Sequence, residues 1–215
     1  MKLSGLTFNF LGDSITEGVG TSGEEKRYFE LIAKEYGLGK ANGYGISGTR
    51  FAKQNVPSET ASFDRNFVSR VDEMCDADGV VVFGGTNDFG HGDAPIGTPS
   101  DRTPDTFYGA CHTLFSKLVE KYPGKPVVIM TPLHRTEEDE VRIKHGVSVT
   151  LKTYVDIIRE VAEFYSLPVC DMFKISGLQP RIPIIAERYI PDGLHPNDEG
   201  HKILAAKLGS FLANL

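Results

Sequence analysis

Strands alternating with helices along the whole chain predict an α/β fold, a three-layer α/β/α sandwich around a central parallel sheet of about five strands. Three observations carry that reading. Short runs of Val, Ile and Phe recur without polar alternation, as in strands covered on both faces. Longer stretches with helical spacing lie between them. No internal repeat or low-complexity tract interrupts the sequence.

The first strand is expected at 6–11, "LTFNFL", and a weaker one at 40–45, "KANGYG". "GVVVF" (79–83), "PVVIM" (126–130) and "LPVCD" (167–171) supply the other three. Helices are expected over 24–37 and over 60–75, where Phe63, Phe67, Val68, Val71 and Met74 fall near helical spacing. Thr103-Pro104 opens a third that runs to about Tyr122, with proline at the tolerated first turn. Residues 148–166 place Val149, Leu151, Tyr154, Val155, Ile158, Val161 and Ala162 on one broad face. The last helix spans about 198–213, with Asn197 as its N-cap. Right-handed crossovers then give a doubly wound sheet, whose ligands bind outside the carboxyl ends of the strands.

Length and composition fit one domain, residues 1–215, of an ordinary globular protein, 40% hydrophobic and 24% charged. A chain of this size buries roughly 70% of its unfolded surface and needs no disulfide or metal to stand. The formal charge of −6, with no Lys/Arg cluster, argues against nucleic acid or an anionic membrane as partner. Cys75, Cys111 and Cys170 show no metal or redox spacing and read as buried thiols. The N-terminus runs straight into the first strand, and no apolar stretch approaches eighteen residues, so a cytoplasmic protein without stable membrane association is expected.

Polar clusters follow every strand. Ser14 follows the first, "GYGISGTR" the second, "GGTND" (84–88) the third and "TPLHR", ending in His134 and Arg135, the fourth. After the fifth comes an excursion and then "PDGLHPNDEG", with Asp192 and His195. Each cluster has an ordinary explanation. "SITE" (14–17) fits a capping box, the glycines of "GISG" fit a tight turn, Asn87 and Asp88 could cap a helix, and Asp192-Gly193 fits a turn. None of these explains why all five lie on one sheet edge.

A chemical explanation does. A serine hydroxyl needs a base, which imidazole supplies near neutral pH, and the imidazole needs an acceptor on its other nitrogen. Asp192 and His195 stand one short turn apart, and a parallel sheet brings Ser14 to them. The backbone N–H of Ser14, the backbone N–H of Gly48 and the Asn87 amide are the candidate donors to an oxyanion.

These residues resemble the GDSL or SGNH hydrolase family. "GDS" at 12–14, "GISG" at 45–48, "GTND" at 85–88 and "DGLH" at 192–195 follow its blocks in order across essentially the whole chain, with Ile15 where the name has leucine. The resemblance implies a flavodoxin-like SGNH hydrolase fold and a serine esterase or acylhydrolase acting through an acyl-enzyme. It implies Ser14 as nucleophile, Gly48 and Asn87 in the oxyanion hole, Asp192 as orienting group and His195 as base. Segment 178–190 matches no block. The absence of Gly-x-Ser-x-Gly excludes an ordinary α/β-hydrolase elbow, and no Walker loop is present.

The expected substrate is a small-molecule ester with a short acyl group, such as acetyl on a carbohydrate or other small polar alcohol. Lipase or lysophospholipase action on longer chains and an inactive binding protein on the same fold are the alternatives. Loops 89–103 and 134–148 are expected to shape the pocket, the second also fitting a solvated charged face. Neither offers the apolar surface a long chain would want, although Phe51, Phe89, Ile96 or residues 182–185 could line an acyl pocket. His91, His134 and His145 lack any local ligand pair, so neither a metal nor another cofactor is expected.

Overall fold

All five apolar runs become strands of one parallel sheet, in a computed structural model that describes residues 1–215. In chain order, the strands and helices are β1 (Thr7–Gly12), α1 (Ser14–Glu17), α2 (Tyr28–Tyr36), β2 (Lys40–Gly45), α3 (Phe67–Arg70), β3 (Gly79–Phe83) and α4 (Thr86–Gly90). There follow α5 (Phe107–Lys121), β4 (Val127–Met130), β5 (Arg142–Lys144), β6 (Val147–Val149), α6 (Leu151–Phe164), β7 (Val169–Cys170), α7 (Met172–Ile175), α8 (Pro183–Tyr189) and α9 (Asp198–Ala213).

The sheet order is β2-β1-β3-β4-β7, so the winding reverses at β1. Register places Gly12 level with Gly45 and Phe83, and Phe83 level with Met130. The loops that follow β1, β2, β3 and β4 therefore leave from one carboxyl edge, beside the crevice where such sheets bind ligands.

Alternate strand residues feed two cores. Leu11, Val80, Val82, Val127 and Ile129 face α5 and α6, and Phe8, Phe10, Val81, Phe83, Val128 and Met130 face α2 and α9. Asn197 caps α9 as expected, its side-chain oxygen accepting from the N–H groups of Glu199 and Gly200 at 3.1 Å. No helix is long and apolar enough to cross a membrane.

Several helices are shorter than their apolar periodicity predicts. The stretch 24–37 starts with one 3-10 turn, Glu24–Lys26, then breaks at extended Arg27 before α2. The stretch 60–75 divides into a 3-10 turn at Ala61–Asp64, α3, and a second 3-10 turn at Val71–Glu73. Asn66 restarts the chain there by capping Ser69, so Phe63 leaves the apolar stripe. The third helix begins at Phe107, because Thr106 and not Pro104 meets its first turn, accepting from the Gly109 N–H.

The fourth helix begins at Leu151 because residues 147–149 pair into a hairpin with β5. That hairpin was hidden in the charged stretch 134–148. Its cue is alternation in "VRIKHGVSV", with His145-Gly146 at positive φ as a two-residue turn demands. Segment 178–190 contains α8, with Pro183 in its first turn.

The α2–α9 contact carries a titratable group. His201 is fully buried, its Nδ1 accepting the Tyr28 N–H at 3.0 Å and its ring stacked on Tyr28. Burial pushes its pKa down to about 4, below the ordinary value near 6.5. The unfolded chain thus takes up the proton first. Stability contributed by neutral His201 is complete above about pH 6.5 and is lost as pH falls towards 4. Urea unfolding at pH 7.5 and 4.5 should show the parent losing more stability than His201→Gln; equal losses would contradict this.

Candidate active site

The chain leaves β1 at Gly12 and turns at once into α1. Asp13 is the N-cap, its carboxylate accepting the Ile15 N–H at 3.1 Å, which leaves Ser14 as the first helical residue. Ser14 and Glu17 consequently form no capping box. Glu17 instead accepts from both the N–H (2.7 Å) and the hydroxyl of Ser47, tying α1 to the loop after β2.

The Ser14 hydroxyl lies 3.0 Å from His195 Nε2. His195 Nδ1 lies 2.6 Å from one Asp192 oxygen, and the other oxygen accepts the N–H groups of Leu194 and His195 at 2.9 and 2.7 Å. Partial burial pulls the Asp192 carboxyl up, yet these donors outweigh it and hold the group below its ordinary value. Ionised Asp192 accepts a hydrogen bond from the His195 Nδ1–H, which leaves Nε2 to accept from the Ser14 hydroxyl.

The turn that presents this pair is braced from outside. Gly193 has φ +79°, and a Cβ there would strike Thr136. The Gly193 carbonyl accepts the Thr136 N–H at 3.0 Å, so the loop after β4 holds the turn in place. Pro196 and Asn197 follow directly, so the start of α9 fixes His195 from its other side.

The loop after β2 brings Gly48 beside these groups. Its φ of +72° suits glycine, and a Cβ would collide with the Phe63 ring. Asn87 is nearly buried in α4, where one hydrogen of its amide is donated to the Thr49 carbonyl at 3.0 Å. Its second hydrogen and the N–H groups of Ser14 and Gly48 have no acceptor in the protein. Ser14, Gly48 and Asn87 therefore offer unclaimed donors on adjoining elements.

Residues 43–48 spell Gly-x-Gly-x-x-Gly, the dinucleotide-binding pattern. No helix follows them, since the chain runs irregularly to the 3-10 turn at Ala61–Asp64. Phosphates would lack the helix N-terminus that this pattern supplies.

Three buried side chains shape these loops in roles that sequence reasoning missed, Asp88 among them, which caps no helix. Arg70 donates to the carbonyls of Tyr44 (2.8 Å) and Gly12 (3.0 Å) and to the Thr49 hydroxyl (3.0 Å), joining β1, β2 and the Gly48 loop. Burial pulls its pKa down to about 10, which leaves it charged. Asp88 accepts the N–H groups of Phe51 (2.9 Å) and Ala52 (3.0 Å), and burial raises it to about 7. Asp13 is raised to about 6 by burial, against the pull of the Ile15 N–H, His195 and Arg70. Asp13 and Asp88 stand inside the "GDS" and "GTND" blocks, which is the signal for them, whereas nothing near Arg70 in the sequence marks it.

The other predicted residues lie elsewhere. Phe51, Phe89 and Ile96 are buried in the core. Cys111 and Cys170 are buried as expected, whereas Cys75 is exposed. His134 contacts Glu138 at 2.6 Å, His91 meets Arg50 and His145 meets the Asp93 carbonyl, so the three imidazoles serve separate partners. Arg142 and Lys144 of β5 donate to carbonyls of residues 89–92, joining the two predicted rim loops.

A family model described as the GDSL-like Lipase/Acylhydrolase family matches residues 10–203. No curated protein matches the chain. One solved structure is 30% identical, with a TM-score of 0.87 over 100% of this chain and 99% of that one. A protein from Lactobacillus plantarum is 29% identical, with a TM-score of 0.83 over 98% of each chain. A member of the lipolytic protein G-D-S-L family from Veillonella parvula shares the fold at 15% identity, with a TM-score of 0.65 over 97% of this chain and 99% of that one.

Arg70 can be tested by stability alone. Arg70→Met takes the donor from three acceptors and should cost on the order of 3 kcal/mol in urea unfolding. Arg70→Lys should recover only part of it, because one ammonium cannot span the three acceptors. A loss for Arg70→Met within experimental error would contradict this role.

Proposed function

The chain belongs to the GDSL-like lipase/acylhydrolase family and is an ester hydrolase; from that premise we propose that it cleaves carboxylic esters through an acyl-enzyme on Ser14. The observation that carries the reading is the continuous contact from the Ser14 hydroxyl through His195 to Asp192. Ser14 Oγ attacks the ester carbonyl carbon while His195 Nε2 takes the hydroxyl proton. Asp192 keeps the imidazole in the right tautomer and stabilises its cation.

The carbonyl oxygen becomes an oxyanion between the N–H groups of Ser14 and Gly48 and the free amide hydrogen of Asn87. The bond to the alcohol oxygen breaks as His195 returns the proton to it. Water, deprotonated by His195, then attacks the acyl carbon and releases the acid and free Ser14. No step calls for a metal or cofactor.

We assign the substrate to short acyl esters of small polar alcohols, such as acetylated carbohydrates. Supporting this, the aromatic and aliphatic candidates for a long acyl pocket, Phe51, Phe89 and Ile96, are consumed by the core. Action on longer chains is the second reading, favoured by exposed Ile182 and Ile184 in the segment before Asp192. A higher kcat/KM for p-nitrophenyl acetate than for the octanoate supports the first; the reverse order favours the second.

Ser14→Ala should abolish p-nitrophenyl acetate hydrolysis without unfolding the protein. Asn87→Ala should lower kcat by about a hundredfold or more, about 3 kcal/mol of transition-state stabilisation. Turnover by purified Ser14→Ala at the parent rate would remove the proposal.

A further inference from the structure

The loop after β2 and the end of α4 meet at a pair of rings. Phe63 packs against the Cα of Gly48, and its ring centroid lies 5.5 Å from that of His91. His91 directly follows α4, and its N–H is donated to the Asn87 carbonyl at 2.9 Å. Each ring is thus attached to an element that supplies an oxyanion donor to the acyl-enzyme mechanism on Ser14, and the role assigned to the rings rests on that mechanism.

One guanidinium holds both. Arg50 is almost fully buried and donates to the Phe63 carbonyl (3.2 Å), to Asp64 (2.8 Å) and to Ser58 (2.6 Å). Its other terminal nitrogen lies 3.3 Å from His91 Nδ1 and 3.4 Å from the His91 carbonyl. An arginine only donates, so Nδ1 is the acceptor and the proton of the neutral ring sits on Nε2. Desolvation, followed by the Arg50 charge, pushes the His91 pKa down to about 4, keeping the ring neutral at neutral pH.

The geometry of acyl transfer gives this pair a task. The carbon attacked by Ser14 carries four groups: Oγ, the oxyanion, the departing alcohol oxygen and the acyl substituent. The alcohol oxygen must face His195 to receive its proton, and the oxyanion must face the donors. The acyl substituent takes the direction left over, turned away from both His195 and the oxyanion donors, and Phe63 and His91 are the rings that the elements bearing those donors place beside them. We propose that Phe63 and His91 form the wall that meets the acyl substituent there and limits its length, with Arg50 as the residue that positions both rings.

Removing either ring should lengthen the acyl group the site accepts. Phe63→Ala and His91→Ala are compared with the parent for kcat/KM on p-nitrophenyl acetate, butyrate and octanoate. The octanoate-to-acetate ratio should rise by about tenfold or more in Phe63→Ala and by a smaller factor in His91→Ala. Should Phe63→Ala not fold, Phe63→Leu and His91→Ala carry the same comparison. Ser14→Ala run beside them separates the two readings. Esterase activity that survives it overturns the Ser14 assignment and the wall together. Activity that needs Ser14 but keeps the parent ratio in both wall variants overturns the wall alone.

Discussion

Ser14 and His195 stand 181 positions apart in the chain, and 3.0 Å separates the hydroxyl from the imidazole nitrogen. A hydrogen bond tolerates only a few tenths of an ångström at that distance, so the fold must fix both ends closely. Ser14 is fixed by β1, which lies inside the sheet between β2 and β3, and by the Asp13 cap that starts α1 immediately after it. His195 is fixed less directly. It precedes α9, whose cap begins at Asn197 and whose inner face is docked on α2 through His201 and Tyr28. The packing of two helices beneath the sheet therefore sets the reach of an imidazole at its edge.

Loops at a sheet edge have no ladder to satisfy their backbone groups, which must find partners elsewhere. Here the partners are buried ionisable side chains. Arg70 serves the ends of β1 and β2, Asp88 serves residues 51 and 52, and Arg50 serves residues 63 and 91. Burying such groups is costly, as the raised carboxyls of Asp13 and Asp88 and the lowered guanidinium of Arg70 register. The return is preorganisation: the loop carrying Gly48 and the turn carrying Ser14 are held in place while their N–H groups stay without an internal acceptor.

Much of this arrangement is legible before any coordinates. The Val-, Ile- and Phe-rich strands and the helix from 198 to 213 can be read because local periodicity and burial agree there. Three of the four motif blocks each follow a strand whose end the parallel topology brings to one edge, and the fourth, at 192–195, reaches them from the turn between α8 and α9. Periodicity misled over 60–75, where Phe63 has the spacing of a core residue but packs on Gly48. "SITE" spells a capping box, yet Asp13 caps more directly and Glu17 reaches Ser47. Arg50 and Arg70 were invisible because an arginine is buried only when tertiary acceptors gather around it, and no local pattern announces that.

The central claim is that the Ser14 hydroxyl is made nucleophilic by His195. Covalent labelling with a fluorophosphonate, located by mass spectrometry, tests it most directly. The account predicts one adduct, on Ser14, formed rapidly by the parent and greatly slowed in His195→Ala. No adduct on the folded parent, or one that forms as fast without the imidazole, would contradict it.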